Sequence, residues 1–128
     1  LHPSRQKRQP ILRIFKESEY NMKITAIKYF EAFEKRDACA IREMFDVNVT
    51  LRDWEINALG IDSVMAATTR IFDSIESISV KIINVFQDEM CVIGELNITI
   101  DSVNQIKVVD IIEFNSFGKI CAIRAFKG

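Results

Sequence analysis

The sequence predicts an α+β domain in which helices cover one face of an antiparallel sheet. In the first part of the chain, apolar residues recur at helical spacing, and from Ser77 onward the period changes to two. The segments between the later strands are too short for crossover helices, so these strands should pair as successive antiparallel hairpins. The predicted order is therefore two helices, one short strand, a third helix and a four-stranded meander.

The first helix begins near Met22 and carries its apolar residues at positions i, i+3, i+4 and i+7: Ala26, Tyr29, Phe30 and Phe33. Tyr29 therefore points inward. Because a buried phenol needs a hydrogen-bond partner, its hydroxyl is expected to meet a polar group in the interior. The alternative is a core tyrosine that donates to a backbone carbonyl.

Two further helices are predicted from their N-terminal caps. Asp37 can cap a short helix over residues 37–45. A third helix begins with Asp62 or Ser63 as its N-cap and continues to about Ile75.

Composition limits the classes of partner. The chain has 128 residues, of which 48% are hydrophobic, enough for one domain with a sizeable core. A net charge of -1 and the lack of an apolar run of about 20 residues predict neither a nucleic-acid nor a membrane partner. Cys39, Cys91 and Cys121 show no CxxC spacing, so neither a disulfide framework nor a zinc site is predicted, and a reducing cytoplasm is the expected location.

The N-terminal segment differs from the rest of the chain. Residues 1–21 are basic, whereas residues 22–128 hold more acidic than basic side chains. We expect residues 22–128 to form the single domain and residues 1–21 to be a disordered tail or a remnant of cloning. A nucleic-acid-binding arm is the alternative. Arg13 interrupts the apolar residues 11–15, so a secretory signal is not predicted.

The stretch IKVVDIIEF, residues 106–114, places an acid on a hydrocarbon face. Asp110 shares that face with Val108 and Ile112. A carboxylate there would lose its hydration, so it should either take up a proton or acquire a partner. Asp110 is therefore the first candidate for chemistry. The alternative is a structural acid, paired with Arg124 or with a backbone donor.

A second acid follows the same pattern in a strand predicted over residues 48–56. Asp53 shares a face with Val49 and Leu51, and Trp54 adjoins it. Asp53 lies near the strand end, so a structural role is the stronger alternative here. The lone histidine is His2, which removes the usual base of Ser-His-Asp catalysis and the usual metal ligand. Acid–base chemistry should then fall to carboxylates, Tyr or Lys, with no cofactor and no metal.

Tyr29, Asp53 and Asp110 are predicted to face one cleft between helices and sheet. Three such groups exceed what a small core tolerates without a function. The predicted lining of the cleft comprises Phe33, Phe45, Trp54, Thr68, Val108 and Ile112.

Four segments carry a family resemblance: YFEAFEKRD, VTLRDWE, GIDSV and VVDIIEFNSFGKICAIRAF. Over residues 22–128 the chain resembles the nuclear-transport-factor-2-like superfamily, and within it the ketosteroid isomerases and the SnoaL-like polyketide cyclases. The resemblance implies a cone-shaped, curved antiparallel sheet wrapped around N-terminal helices, also called a cystatin-like roll. It also implies a small-molecule enzyme that transfers a proton alpha to a carbonyl in an apolar cleft.

The resemblance assigns roles to three residues. Asp53, which follows Tyr29 by 24 residues as in the isomerases, matches the catalytic base. Tyr29 and a protonated Asp110 match the donors that stabilise a dienolate oxygen. Two supporting tyrosines of the isomerases fall at Phe45 and Thr68, so the network around Tyr29 should be thinner.

The implied substrate is a small hydrophobic or carbonyl-containing molecule. Arg52 and Glu55 place charge beside Asp53, which suits a flat steroid poorly. The alternative function is a non-catalytic ligand-binding or dimerisation module. A homodimer is expected from the resemblance and from Ile93, Ile111 and Ile123 on the outer face of the meander, unless the strand period slips by one and places some of them in the core.

Overall fold

The computed structural model of the protein describes residues 21–128. Of the predicted tail, residues 1–20 lie outside the described residues, and Asn21 is already helical. Helix α1 comprises residues 21–34 of the described chain. The remaining elements are α2 (Ala38–Met44), β1 (Phe45–Arg52), β2 (Asn57–Leu59), α3 (Ile61–Asp73), β3 (Ile78–Asp88), β4 (Cys91–Ile100), β5 (Asn104–Phe114) and β6 (Ile120–Lys127).

The six strands form one curved, unclosed sheet in the order β2-β1-β6-β5-β4-β3. Strands β3 to β6 pair antiparallel in succession, as their short connections predict. Strand β1 returns to the sheet beside β6 and pairs with it in parallel. The predicted α+β class is confirmed, with the helices packed against the inner face of the sheet.

The helix α1 buries the face that its periodicity predicts. Ala26, Tyr29 and Phe30 are buried. Phe30 packs against β4 at Gly94, where a Cβ atom would lie 2.6 Å from Phe30 Cζ. Only glycine therefore lets the helix approach the sheet this closely. No helix within residues 21–128 is long and apolar enough to cross a membrane.

Helix capping follows the prediction for α2 but not for α3. Asp37 is the N-cap of α2, and its Oδ1 accepts a hydrogen bond from the Ala40 N–H at 3.1 Å. The predicted caps of α3, Asp62 and Ser63, are wrong, because Gly60 is the N-cap and makes no side-chain hydrogen bond. Asp62 lies in the first turn of α3, where a negative charge complements the helix dipole.

The strand predicted over residues 48–56 is the end of β1 followed by a turn, residues 53–56, that leads into β2. Strand β1 ends at Arg52, and β2 pairs with it antiparallel. The turn forms because Asp53 Oδ1 accepts hydrogen bonds from the N–H groups of Glu55 at 2.7 Å and Ile56 at 2.6 Å. Such Asx turns compete with an extended strand, so alternation alone predicts the strand too long.

The outer-face prediction fails at Ile123, which is 1% exposed and belongs to the core. Ile112 pairs with Ile123 and Phe114 with Ile120, so β6 holds one more residue than β5 between these pairs. Cys121 is this extra residue, and the bulge places both isoleucines on the inner face despite their odd spacing. Ile93 and Ile111 pair with each other and are half-buried.

Candidate functional site

A cavity of about 130 Å³ lies between α1, α3 and the inner face of the sheet. Tyr29, Asp53 and Asp110 all line it, so the structure brings together the three residues on which the sequence analysis centres. Apart from these three residues and Trp54, whose ring carries one N–H, every lining side chain within residues 21–128 is purely apolar. Few polar groups in an apolar cavity are typical of a small-molecule site.

Asp110 lies in the middle of β5 with its side chain among hydrocarbon. It is 9% exposed, and the residues beside it on the adjacent strands are Gly94 and Ala125. Burial, and secondarily the charge of Asp53, raise the pKa of Asp110 to about 7. A carboxyl in these surroundings readily holds a proton near neutral pH and can then donate a hydrogen bond.

Asp110 does not form the structural ion pair that was its alternative reading. Arg124 forms an ion pair with Glu113 on the outer face of the sheet, and Glu113 lies two residues along β5 from Ile111, the cross-strand partner of Arg124. Within residues 21–128, the Asp110 carboxyl accepts and donates no side-chain hydrogen bond. Its oxygens are therefore left to interact with whatever enters the cavity.

Tyr29 is 4% exposed and is held by aromatic contacts on three sides. Its ring lies 5.8 Å from that of Phe30, and 6.0 Å from those of Phe33 and Phe45. Such edge and tilted contacts fix the ring plane. Burial, followed by the charges of Asp110 and Asp53, raises the pKa of Tyr29 above its ordinary value, so the phenol stays protonated.

The expected interior partner of the Tyr29 hydroxyl is not found among residues 21–128. No described backbone or side-chain group forms a hydrogen bond with it. Since Tyr29 lines the cavity, its hydroxyl is available as a donor to a ligand. The prediction of an inward-pointing phenol is right, and the prediction of its intramolecular partner is wrong.

Asp53 is positioned by its turn rather than by a strand. One carboxylate oxygen, Oδ1, accepts the two turn N–H groups, and the Asp53 N–H donates to the Ile56 carbonyl at 3.0 Å. The side chain is half-buried, at the rim of the cavity. The second oxygen, Oδ2, has no hydrogen-bond partner within the described chain and is left to act on a ligand.

Three of the six residues predicted to line the cleft, Phe33, Trp54 and Val108, line the cavity. The structure places Phe45, Thr68 and Ile112 elsewhere, in the core.

Each of these three residues has a local reason for its position. Phe45 packs on the Tyr29 ring, and the Thr68 hydroxyl donates to the Val64 carbonyl of its own helix at 2.8 Å. Ile112 shares the inner face with Asp110 but is fully buried, and it lies outside the cavity lining.

Several cavity residues were missed by the sequence analysis. They are Tyr29's neighbour Phe30 and the aliphatic residues Leu51, Ile71, Ile78, Val80, Leu96, Ile98, Ile100, Ile106, Ile123 and Ala125. Strands β3 and β4 contribute five of them at alternate positions, so the period-two pattern from Ser77 onward was the signal that could have found these five. Within residues 21–128, no three His, Cys, Asp or Glu side chains come together as metal ligands.

A family model described as a SnoaL-like domain matches residues 26–123 of the sequence. The chain belongs to the SnoaL-like domain family. This match runs from within α1 to the middle of β6, and therefore contains all three ionisable residues of the cavity. No curated protein matches the sequence.

Solved structures similar to this SnoaL-like chain share its fold at low sequence identity. A candidate ketosteroid isomerase from Kribbella flavida is 12% identical, with a TM-score of 0.76 over 86% of this chain and 79% of that one. An LEH-like epoxide hydrolase from M. tuberculosis is 14% identical, with a TM-score of 0.75 over 86% and 84%. A candidate polyketide cyclase from Sinorhizobium meliloti is 13% identical, with a TM-score of 0.71 over 79% and 92%. At these identities the similarity establishes the fold alone.

Proposed function

We propose that the protein is a cofactor-independent enzyme that transfers a proton alpha to the carbonyl of a small molecule. One observation carries the proposal. Two buried groups that can donate hydrogen bonds, the Tyr29 hydroxyl and the protonated Asp110 carboxyl, line the same apolar cavity as the turn-bound carboxylate of Asp53. Similar structures named as isomerase and cyclase candidates support the reading.

Each residue has a distinct step in the proposed reaction. Asp53 Oδ2 removes a proton from the carbon alpha to the carbonyl, which leaves a dienolate and a neutral Asp53. Tyr29 and Asp110 donate hydrogen bonds to the dienolate oxygen, where negative charge develops in a site of low polarity. Asp53 then returns the proton to the gamma carbon. The net change moves a double bond into conjugation, and neither water nor a redox partner is consumed.

The size of the cavity limits what can enter it. A volume of about 130 Å³ is close to the roughly 150 Å³ of an engineered cavity that binds benzene. We therefore expect the reacting part of the substrate to be a short chain or a single ring. A fused steroid would leave most of its rings outside the cavity.

Two matched substitutions test the assignment. Asp53→Asn keeps the carbonyl oxygen that accepts the turn N–H groups but removes the base, and Tyr29→Phe keeps the aromatic contacts but removes the donor. Conversion of β,γ-unsaturated ketones to conjugated enones is followed by ultraviolet absorbance. We expect kcat to fall by about 10²-fold or more in each variant.

Glu55→Gln, which removes a neighbouring exposed charge, serves as the control and should retain turnover. The proposal fails if the wild type converts no ketone in a panel of single-ring and acyclic substrates, or if both variants match it. Ligand binding without turnover would instead support the binding-module alternative. Ligand binding can be followed by the fluorescence emission of Trp54, because Trp54 is the single tryptophan of the chain and lines the cavity.

A further inference from the structure

A cationic groove adjoins the cavity on the side of β6. It encloses about 590 Å³, and Asp53, Trp54 and Ala125 line both the groove and the cavity. The other lining residues include Arg52, Arg124 and Lys127. A ligand in the cavity can therefore extend into the groove without crossing a separate surface.

Cations from both faces of the sheet line this groove. Arg52 and Arg124 are register partners on the outer face at the point where β1 ends, whereas Lys127 pairs with Val108 of the inner face. Strand β6 continues to Lys127 with no β1 residue beside it, so its last residues form one side of the groove. The Lys127 ammonium lies 5.4 Å from the centroid of the Trp54 ring.

Two of the three cations lack an acidic partner. Arg124 is neutralised by Glu113. Among residues 21–128, no carboxylate lies within ion-pair distance of Arg52 or Lys127. Asp53 is the sole acid among the described residues of the groove lining, and two backbone N–H groups already occupy its Oδ1. Since residues 22–128 are acidic overall, this local excess of positive charge is not a general property of the surface.

We propose that the substrate is a small keto acid whose carboxylate binds Arg52 and Lys127 while its carbonyl end enters the apolar cavity. The inference rests on the proposed function for the reacting end and adds the class of the remote group. Placement of the carboxylate in the open groove avoids the cost of burying a charge among hydrocarbon. A guanidinium and an ammonium together offer the hydrogen-bond donors that a carboxylate accepts.

The arrangement also gives the groove a role in orientation. A carboxylate held beside Arg52 and Lys127 directs the rest of the molecule past Asp53 and Trp54 into the cavity. The alpha carbon is then presented to the rim, where Asp53 acts, and the carbonyl oxygen to the interior, where Tyr29 and Asp110 lie. Binding energy from a remote anionic group would thus contribute to positioning at the reacting centre.

The test compares a β,γ-unsaturated keto acid with its methyl ester, which lacks the negative charge at the remote end and adds one methyl group. Binding is measured by calorimetry and by Trp54 emission on wild type, Arg52→Gln, Lys127→Gln and the control Lys81→Gln, an exposed cation on β3. We expect the acid to bind about threefold to fivefold more weakly to each groove variant, and the ester to bind all four proteins equally. The preference for the acid should also shrink as salt is added.

Equal binding of acid and ester by the wild type overturns the inference, as does equal weakening of both ligands in the groove variants. These results are separable from the test of the proposed function. Preferential binding of the acid without any turnover would retain the anion site and refute the isomerase. Turnover of the ester with the same kcat/KM as the acid would retain the isomerase and refute the anion site.

Discussion

Replacement of Asp110 by Asn tests the burial of a protonatable carboxyl in the cavity. The amide has nearly the same shape as the carboxyl, so contacts with Val108 and Ile112 are preserved. What disappears is the ability to ionise. The difference in stability between Asp110→Asn and the wild type, followed against pH, therefore isolates the cost of keeping this group charged in the folded chain.

The magnitude follows from the pKa of Asp110, which is raised from 3.8 to about 7 on folding. Below pH 3.8 both states hold the proton. As pH rises, the unfolded chain releases its proton first, so the free energy of unfolding falls until the folded group also ionises near pH 7. At about 1.4 kcal/mol for each pKa unit, the full loss is about 4 kcal/mol. Roughly 3 kcal/mol of this loss in the free energy of unfolding occurs between about pH 5 and pH 8.

The assay is urea unfolding at about pH 5, 6, 7 and 8, monitored by circular dichroism. We expect Asp110→Asn to gain about 3 kcal/mol relative to the wild type across this range. Glu31→Gln, which removes an exposed acid on α1, should show a difference that stays within about 0.5 kcal/mol. A difference for Asp110→Asn that is independent of pH, or that falls as pH rises, would refute the assignment of a raised pKa.

Three further substitutions probe the packing of α1 on β4, an exposed ion pair and a side chain that binds backbone N–H groups. Gly94→Ala should lower stability by about 1 to 3 kcal/mol, because its Cβ atom would overlap the Phe30 ring. Asp62→Asn should cost less than about 1 kcal/mol, since its ion pair with Arg42 is exposed. Asp101→Ala should cost about 1 to 3 kcal/mol, because Asp101 Oδ1 accepts the N–H groups of Glu76 and Ser77, which immediately precede β3. Thermal unfolding measures all three changes.

Each of these substitutions has a control or a result that would contradict its explanation. In the control Gly128→Ala, the added Cβ atom would lie no closer than 3.7 Å to any neighbour, so stability should be unchanged. A Gly94→Ala protein as stable as the wild type would mean that α1 does not touch β4. Asp101→Asn retains the accepting oxygen and should keep most of the stability. If it is as damaging as Asp101→Ala, the hydrogen bonds are not the cause. A loss of more than about 2 kcal/mol in Asp62→Asn would contradict an exposed pair.

Periodicity predicted the parts of the structure that obey it. The buried face of α1, with Tyr29, and the alternation of β5, with Asp110, are both as expected, because each element is regular and has one face on the core. For the same reason the order of helices and strands was predictable, together with the antiparallel meander. These are the elements that carry two of the three ionisable residues of the cavity.

The sequence failed where local hydrogen bonds or unequal strand lengths interrupt the period. Asp53 ends β1 by accepting the N–H groups of its own turn, which the alternating pattern conceals. Ile123 reaches the core because Cys121 adds a residue to one strand alone. The sequence also did not predict which inward-facing residues border the cavity. Phe45 and Ile112 point inward as expected, but whether an inward residue lines the cavity depends on how the helices pack against the sheet.

Cys121 in β6 and Ile83 in β3 are single-residue insertions relative to the neighbouring strand. A bulge of this kind bends the strand while the pairings on either side continue. Removal of Cys121 would leave Ile120 and Ile123 opposite the same partners, with simple alternation restored and the bend reduced. Sheet curvature and side-chain composition can therefore vary independently, so relatives of this chain could acquire differently shaped cavities by one-residue deletions while retaining every lining side chain.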